Sequence, residues 1–301
     1  DGSNWQELGG SASGDGVSQQ TTYAPTDPKI AVGADGLPVI AWRQQSLTNI
    51  KIVAKKWNGS SWVGLGGSDV GIGDSNQSVA PTLTINSFGN PVVAWSELLT
   101  QLIHVWQWNG AAWVNLGQQG NLPFTEMPHI DAGPNGDLYL TWIQTTAVQN
   151  PNQIFASRRT GGSWQAMGNS LTYPGISAST STVTRPFNPN ISYSAQPFPR
   201  VFVSYLSGTG TNAMVNVKQY DFATWSGVAG AGTKPGVDEF NGGATNLVMD
   251  STALGVPVVA FDTDGGIGIQ ETVTYGLVAD IIAPTFEGLT KAVGGTNNEV
   301  V

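Results

Sequence analysis

Asp27, Glu97 and Glu126 are the residues of this chain whose types and places suit joint chemistry. Cleaving a glycosidic bond takes two carboxyl groups across the sugar, one to protonate the leaving oxygen and one to act as base or nucleophile. Asp27 and Glu126 each stand at the start of a first strand in a sequence repeat, and Glu97 follows the second strand of another. If the first strands are innermost, Asp27 and Glu126 approach the mouth of a central channel. The plainer reading makes all three polar residues that flank strands.

Other side chains suggest binding. Arg43 and Gln44 open the loop after Trp42, a place where the repeats differ. Trp106 is an aromatic outside the repeat pattern. These three are the candidate ligand contacts. Eleven tryptophans beside many Asn, Gln and Ser offer flat apolar rings next to hydrogen-bonding groups, as a sugar requires. Trp42, Trp57 and Trp62 recur at repeat positions, however, and read first as packing residues.

Metal chemistry is thinly supported. Asp262-Thr263-Asp264-Gly265 has the oxygen-rich look of a calcium loop, so Asp262 and Asp264 are candidate calcium ligands. The further oxygens and the Glu twelve positions on of an EF-hand are missing, and Asp-Gly is ordinary turn chemistry. Calcium is the one cofactor the sequence raises. His104 and His129 lie in different repeats, and without cysteine there is no thiolate zinc site, thiol nucleophile or disulfide. No Gly-x-Ser-x-Gly elbow or phosphate loop is present.

The elements that must position these residues are strands. Charged residues make up only 11% of the 301, so long solvated helix faces cannot be built. The 39 glycines and 17 prolines predict many turns and short strands. A net charge of −9 argues against nucleic acid as a partner, and no apolar run is long enough to insert in a membrane. The chain does not open on Met and shows no leader pattern, which is expected of a mature or excised piece.

One phrase recurs. Pro38-Val39-Ile40-Ala41-Trp42 returns as Pro91-Val92-Val93-Ala94-Trp95 and Pro257-Val258-Val259-Ala260-Phe261, with weaker copies ending at Trp142 and Tyr205. The anchor aromatics at 42, 95, 142, 205 and 261 are spaced by 53, 47, 63 and 56 residues. Around each lie four strand-like runs, often joined by a tight turn such as Asn58-Gly59 or Asn109-Gly110. A period near 50 with four strands per period predicts an all-β, five-bladed β-propeller of four-stranded antiparallel blades. The fourth repeat reads as degenerate, and the fifth lacks a fourth strand. Trp5-Gln6-Glu7-Leu8-Gly9, an orphan copy of Trp62-Val63-Gly64-Leu65-Gly66, supplies it. The spacing therefore predicts a ring over residues 1–279 in which the N-terminal strand completes the last blade.

The repeats resemble those of secreted bacterial β-propellers of the kelch and sialidase-like group. The phrases Asp35-Gly36-Leu37-Pro38-Val39-Ile40-Ala41-Trp42 and Trp57-Asn58-Gly59-Ser60-Ser61-Trp62 carry the likeness. The sialidase Asp-box and an arginine triad are absent. Asp27-Pro28 resembles the Asp-Pro that opens the first blade of arabinanase-like enzymes, although Pro28 is also a repeat position shared with Pro81, Pro128 and Pro189. Residues 280–301, with Ala283-Pro284-Thr285-Phe286-Glu287-Gly288-Leu289, resemble the opening of a fibronectin type III or immunoglobulin-like domain. They are expected to be a linker or first strand, or a tail for self-assembly.

These observations lead to one expectation and one alternative. With no convergent chemical set, the chain is expected to be non-enzymatic: an extracellular recognition or display module of a bacterial surface or filament-associated protein. Its expected partner is a protein or glycan. The alternative is a glycosidase-like carbohydrate-active enzyme with Asp27, Glu97 and Glu126 at the channel.

Overall fold

The computed structural model describes residues 6–67, 71–73, 77–120, 124–145, 152–177, 186–208, 213–228, 244–252, 254–263 and 272–277. The regular elements among the described residues are all strands save one 3-10 turn at Pro134–Gly136. The first sheet holds β1 (Thr26–Val32), β2 (Pro38–Gln45), β3 (Ile50–Trp57) and β4 (Trp62–Gly64). The second holds β5 (Ser78–Ile85), β6 (Pro91–Glu97), β7 (Leu102–Trp108) and β8 (Trp113–Gln119). The third holds β9 (Thr125–Ala132), β10 (Leu138–Gln144), β11 (Gln153–Thr160) and β12 (Ser163–Ala166). The fourth, read from sequence as degenerate, is complete: β13 (Phe187–Ser194), β14 (Arg200–Ser207), β15 (Met214–Tyr220) and β16 (Trp225–Gly227). The fifth has three described strands: β17 (Ala244–Ser251), β18 (Pro257–Thr263) and β19 (Thr272–Leu277).

Every sheet is an antiparallel meander, and local chemistry sets its turns. Asn58 Oδ1 accepts from the N–H groups of Ser60 and Ser61, and Asn109 Oδ1 does the same for Ala111 and Ala112. Asp221 replaces the Asn in the fourth sheet, and two such N–H bonds hold its carboxyl below the usual carboxylate range.

The first strands pack side by side in chain order, β1 on β5, β5 on β9, β9 on β13 and β13 on β17, so they form the inner wall. Second strands alternate between faces with period two. On β6, Val93 and Trp95 face the first sheet, while Val92 and Ala94 face the third. On β10, Leu140 and Trp142 face back, and Tyr139 and Ile143 face forward. The anchor aromatic is thus a wedge into the preceding sheet. Trp95 and Trp142 are fully buried, and truncating such a side chain to Ala costs about 3–5 kcal/mol.

A second lock joins successive sheets. The indole N–H of Trp113 donates to the Leu65 carbonyl, that of Trp164 to Leu116, and that of Trp225 to Met167, at 2.7–2.8 Å. Trp62 of the first sheet makes the same bond to Leu8, at 2.8 Å. Leu8 therefore occupies the place that the end of a preceding sheet would fill. Residues 8–10 form a bend and turn there, not the predicted strand, and Trp5 lies outside the described residues. No strand pairing among the described residues joins β19 to this segment, and β1 keeps Ile30 and Val32 exposed. The predicted domain boundary and the tail at 280–301 also lie outside the described residues. Among the described residues, no helix is long and apolar enough to cross a membrane.

Candidate functional face

In such meanders the start of each first strand and the end of each second strand lie on the same face. Asp27, Glu126, Glu97, Arg43 and Gln44 all belong to that face by their strand positions. A recurring β-bulge shapes it. The register slips between Thr26 and Lys29, Val79 and Thr82, Phe187 and Asn190, and Thr245 and Val248, with a matching slip opposite Thr141 and Ile143. Asp27, Ala80, Met127, Asn188 and Asn246 each adopt a left-handed φ of 48–55° in these bulges. Proline follows in four of the five. It fits where the ladder bond is interrupted, because it has no N–H to donate. The repeated Pro and the bulge are thus architectural, and the bulge re-aims the residues beside it.

Asp27 is itself a bulge residue, exposed, with Oδ2 4.0 Å from Arg43 Nη1 and 3.3 Å from Thr26 Oγ1. Glu126 precedes the bulge residue Met127 and is exposed. Glu97 differs from both: it is 3% exposed, and its Oε2 accepts from Ser78 Oγ at 3.2 Å. No hydrogen bond or ion pair links the three carboxylates among the described residues.

Glu97 stands two residues after an anchor aromatic, where the first and third sheets carry Gln. Trp42 Nε1 donates to Gln44 Oε1 and Trp142 Nε1 to Gln144 Oε1, both at 3.1 Å. In the second sheet this bond is missing, and Trp95 Nε1 and Glu97 Oε1 are both buried without a partner. Such groups are costly, at about 1–3 kcal/mol each. His104 stacks on Trp95 at 5.8 Å, and its Nε2 lies 3.0 Å from Gln118 Nε2 and 3.3 Å from Thr100 Oγ1. Burial lowers the His104 pKa, and the nearby charge of Glu97 opposes that shift.

The ligand candidates divide. Gln44 lines a cavity beside Trp42, and its Nε2 is held by the Tyr23 carbonyl. Arg43 faces Asp27. Trp106 is packed, stacked on Trp95 at 6.5 Å with Gly73 against its ring. Asp262 lies in strand β18, not in the turn that a calcium loop would need: it pairs with Thr245 of β17 and Val273 of β19. Asp264 lies outside the described residues. Among the described residues no group of three His, Cys, Asp or Glu could hold a metal.

Sequence reading missed a polar belt along the inner wall. Thr82 accepts from Ile130 N–H at 3.3 Å, His129 Nδ1 from Ile191 N–H at 3.2 Å, and Asp131 Oδ2 from Tyr193 N–H at 2.7 Å. Asn190 donates to the Leu247 carbonyl at 2.9 Å. Each bond stitches one first strand to the next, so His129 is structural. Burial pushes its pKa down to about 4, aided by the charge of Lys29. Burial pushes Asp131 up to about 6, against its hydrogen bonds from Tyr193 and Ala132. The only sequence signal was a polar residue alternating with an apolar one on the first strands.

No protein-family model matches the chain, and no curated protein is similar to it in sequence. Solved structures are similar in fold. A GH93 α-L-arabinofuranosidase of Fusarium graminearum, in complex with arabinobiose, is 12% identical with a TM-score of 0.52, covering 85% of this chain and 82% of that one. An α-L-arabinanase of Penicillium chrysogenum, also with arabinobiose, is 14% identical with a TM-score of 0.50, covering 83% and 81%. The fucose-specific lectin of Aleuria aurantia is 16% identical with a TM-score of 0.54, covering 84% and 79%. At these identities the likeness establishes the fold alone, a β-propeller-like array of four-stranded sheets. It supports neither kelch or sialidase repeats nor a fibronectin domain in particular. The expectation of a non-enzymatic display module is corrected in this respect: the fold is shared with an arabinofuranosidase and an arabinanase as well as with a lectin. Nothing in the likeness speaks for adhesion or filaments.

Proposed function

We propose that this chain is a glycoside hydrolase acting on an arabinose-containing glycan at the bulged face of a five-bladed ring. One observation carries the reading. Asp27 and Glu126 stand exposed at the bulges of the first and third inner strands, on one face, and among the described residues a cation stands beside Asp27 alone. Asp27, 4.0 Å from Arg43, takes the role of base or nucleophile. Glu126 has no ion-pair partner among the described residues and takes the role of acid. Glu97, buried in the intervening sheet, supports the site from below. The substrate class follows the solved neighbours, two of which hold arabinobiose.

Closure of the ring goes with this reading. The fifth sheet has three described strands, and the Trp62 bond to Leu8 repeats the bond that joins the second, third and fourth sheets each to the one before. The N-terminal segment thus stands ready to be the outer edge of the fifth blade. An extracellular home also goes with it, since polymeric glycans are met there.

The test is hydrolysis of p-nitrophenyl α-L-arabinofuranoside and of linear arabinan. Turnover is expected, with Asp27→Asn and Glu126→Gln each lowering kcat by about a hundredfold or more. No turnover of either substrate by folded protein, or full activity in both variants, rejects the proposal.

A further inference from the structure

Glu126 stands between two apolar side chains that its sheet does not bury. Phe124 and Met127, within two residues of it on either side, are 54% and 45% exposed, while Thr125 is buried. Both sit at left-handed φ, 64° for Phe124 and 52° for Met127. A bulky side chain seldom takes that conformation, whereas Asn and Asp take it readily. At the bulge place itself the other sheets carry Asp27, Ala80, Asn188 and Asn246. Met127 is the one large apolar side chain of the five. Strained backbone of this kind clusters at ligand-binding sites.

The preceding sheet adds to this apolar surface. β6 packs against β9 and ends at the bulged face, where its turn to β7 leaves Leu98 and Leu99 53% and 75% exposed. The turn is tied at both ends. Leu98 N–H donates to the Gln77 carbonyl at 3.0 Å, and Gln101 N–H to the Glu97 carbonyl at 2.7 Å. In the two segments 98–101 and 124–127, Glu126 is the one charged residue. Single exposed apolar side chains are ordinary on a protein surface, but a group of them on one face marks an interaction site.

We propose that the leaving-group side of the substrate carries an apolar portion, an alkyl or aryl group, held by Phe124, Met127, Leu98 and Leu99. The inference rests on the glycosidase reading above, in which Glu126 is the acid. In hydrolysis the bond from the anomeric carbon to the leaving oxygen breaks, and the Glu126 proton passes to that oxygen, so the leaving group departs as a neutral alcohol. Water supplies the hydroxyl of the freed arabinose and the proton that restores Glu126. The leaving group therefore lies on the Glu126 side of the sugar and meets the residues beside it. Phe and Leu side chains offer no hydrogen bond, and Met only a weak acceptor. A sugar hydroxyl would lose water there without return. An alkyl chain or aromatic ring gains by leaving water, and the flexible, polarisable Met suits either shape.

The test compares n-hexyl and methyl α-L-arabinofuranoside on the full chain. Their leaving alcohols are of like basicity, so the ratio of the two kcat/KM values reads the apolar contact. The hexyl glycoside is expected to exceed the methyl one by about tenfold or more. Phe124→Asn and Met127→Asn keep a residue suited to left-handed backbone. In each the ratio is expected to fall to within about threefold of unity, and any loss common to both glycosides cancels. Equal kcat/KM for the two glycosides in wild type, or a preference undiminished in both variants, overturns the proposal and leaves the glycosidase reading standing. No turnover of either glycoside by folded protein removes that reading and the proposal with it.

Discussion

The indole N–H of Trp62 donates to the carbonyl of Leu8 at 2.8 Å, across 54 residues of chain. The bond has three counterparts, each joining one sheet to the end of the sheet before it. It makes the N-terminal segment a structural part of the array.

Trp62→Phe keeps the ring and removes the donor, and it is expected to cost about 1 kcal/mol. Gly9→Ala is expected to cost more. Gly9 has φ +55°, and a methyl there would run into the Trp57 ring. Urea midpoints measure both, and a neutral Gly9→Ala would show that the segment does not dock on the first sheet.

Glu97→Gln is expected to raise stability by about 1–2 kcal/mol, since the amide can adopt the Gln44 and Gln144 arrangement and accept from Trp95. On the glycosidase reading it lowers activity at the same time. A thermal melt beside the arabinoside assay checks the pair. A fall in stability would mean that the carboxylate has partners the amide cannot replace.

His129 and Asp131 oppose each other in their response to acid. His129 has a folded pKa of about 4 against the usual 6.5, so the unfolded chain takes the proton first and stability falls as pH drops from 6.5 to 4. Asp131 has a folded pKa of about 6 against 3.8, so the folded chain takes the proton first and stability rises as pH drops from 6 to 4. Relative to wild type, His129→Gln is expected to gain about 2–3 kcal/mol between pH 7 and pH 4, and Asp131→Asn to lose about as much. Urea titrations at pH 7, 5 and 4 read this directly, and equal pH profiles in all three proteins would refute it.

Asn58→Ala and Asn109→Ala are expected to cost about 1 kcal/mol each, because each Asn carbonyl holds two turn N–H groups. Matching losses in denaturant midpoint would confirm that the two hairpins are the same device.

Much of the fold is legible in the chain because its signals are local and repeated. The Asn-Gly turns, the period-two apolar runs and the anchor aromatics each act within a few residues of themselves. The fourth repeat misled because its turn uses Asp221 in place of Asn-Gly, although Trp225 makes the usual bond to the preceding sheet. The N-terminal copy of the Trp-x-x-Leu-Gly phrase was expected to close the ring as a strand, whereas its described part forms a turn whose Leu8 carbonyl accepts from Trp62. At the candidate site, Asp27, Glu97 and Glu126 could be named from their places in the repeats. Their difference in burial could not, because it depends on which neighbouring sheet covers each one.

The sequence by itself determined an all-β chain of repeated meanders, the faces of its second strands and the residues that turn its hairpins. Only the tertiary structure decided that the residues before the repeated prolines adopt left-handed bulges and that Glu97 is buried beside an unpaired indole. The physical reason is range. Hydrogen-bonded ladders and turns are set by neighbours in the chain, whereas burial and the pairing of polar groups are set by side chains from the adjacent sheet, about 50 residues away.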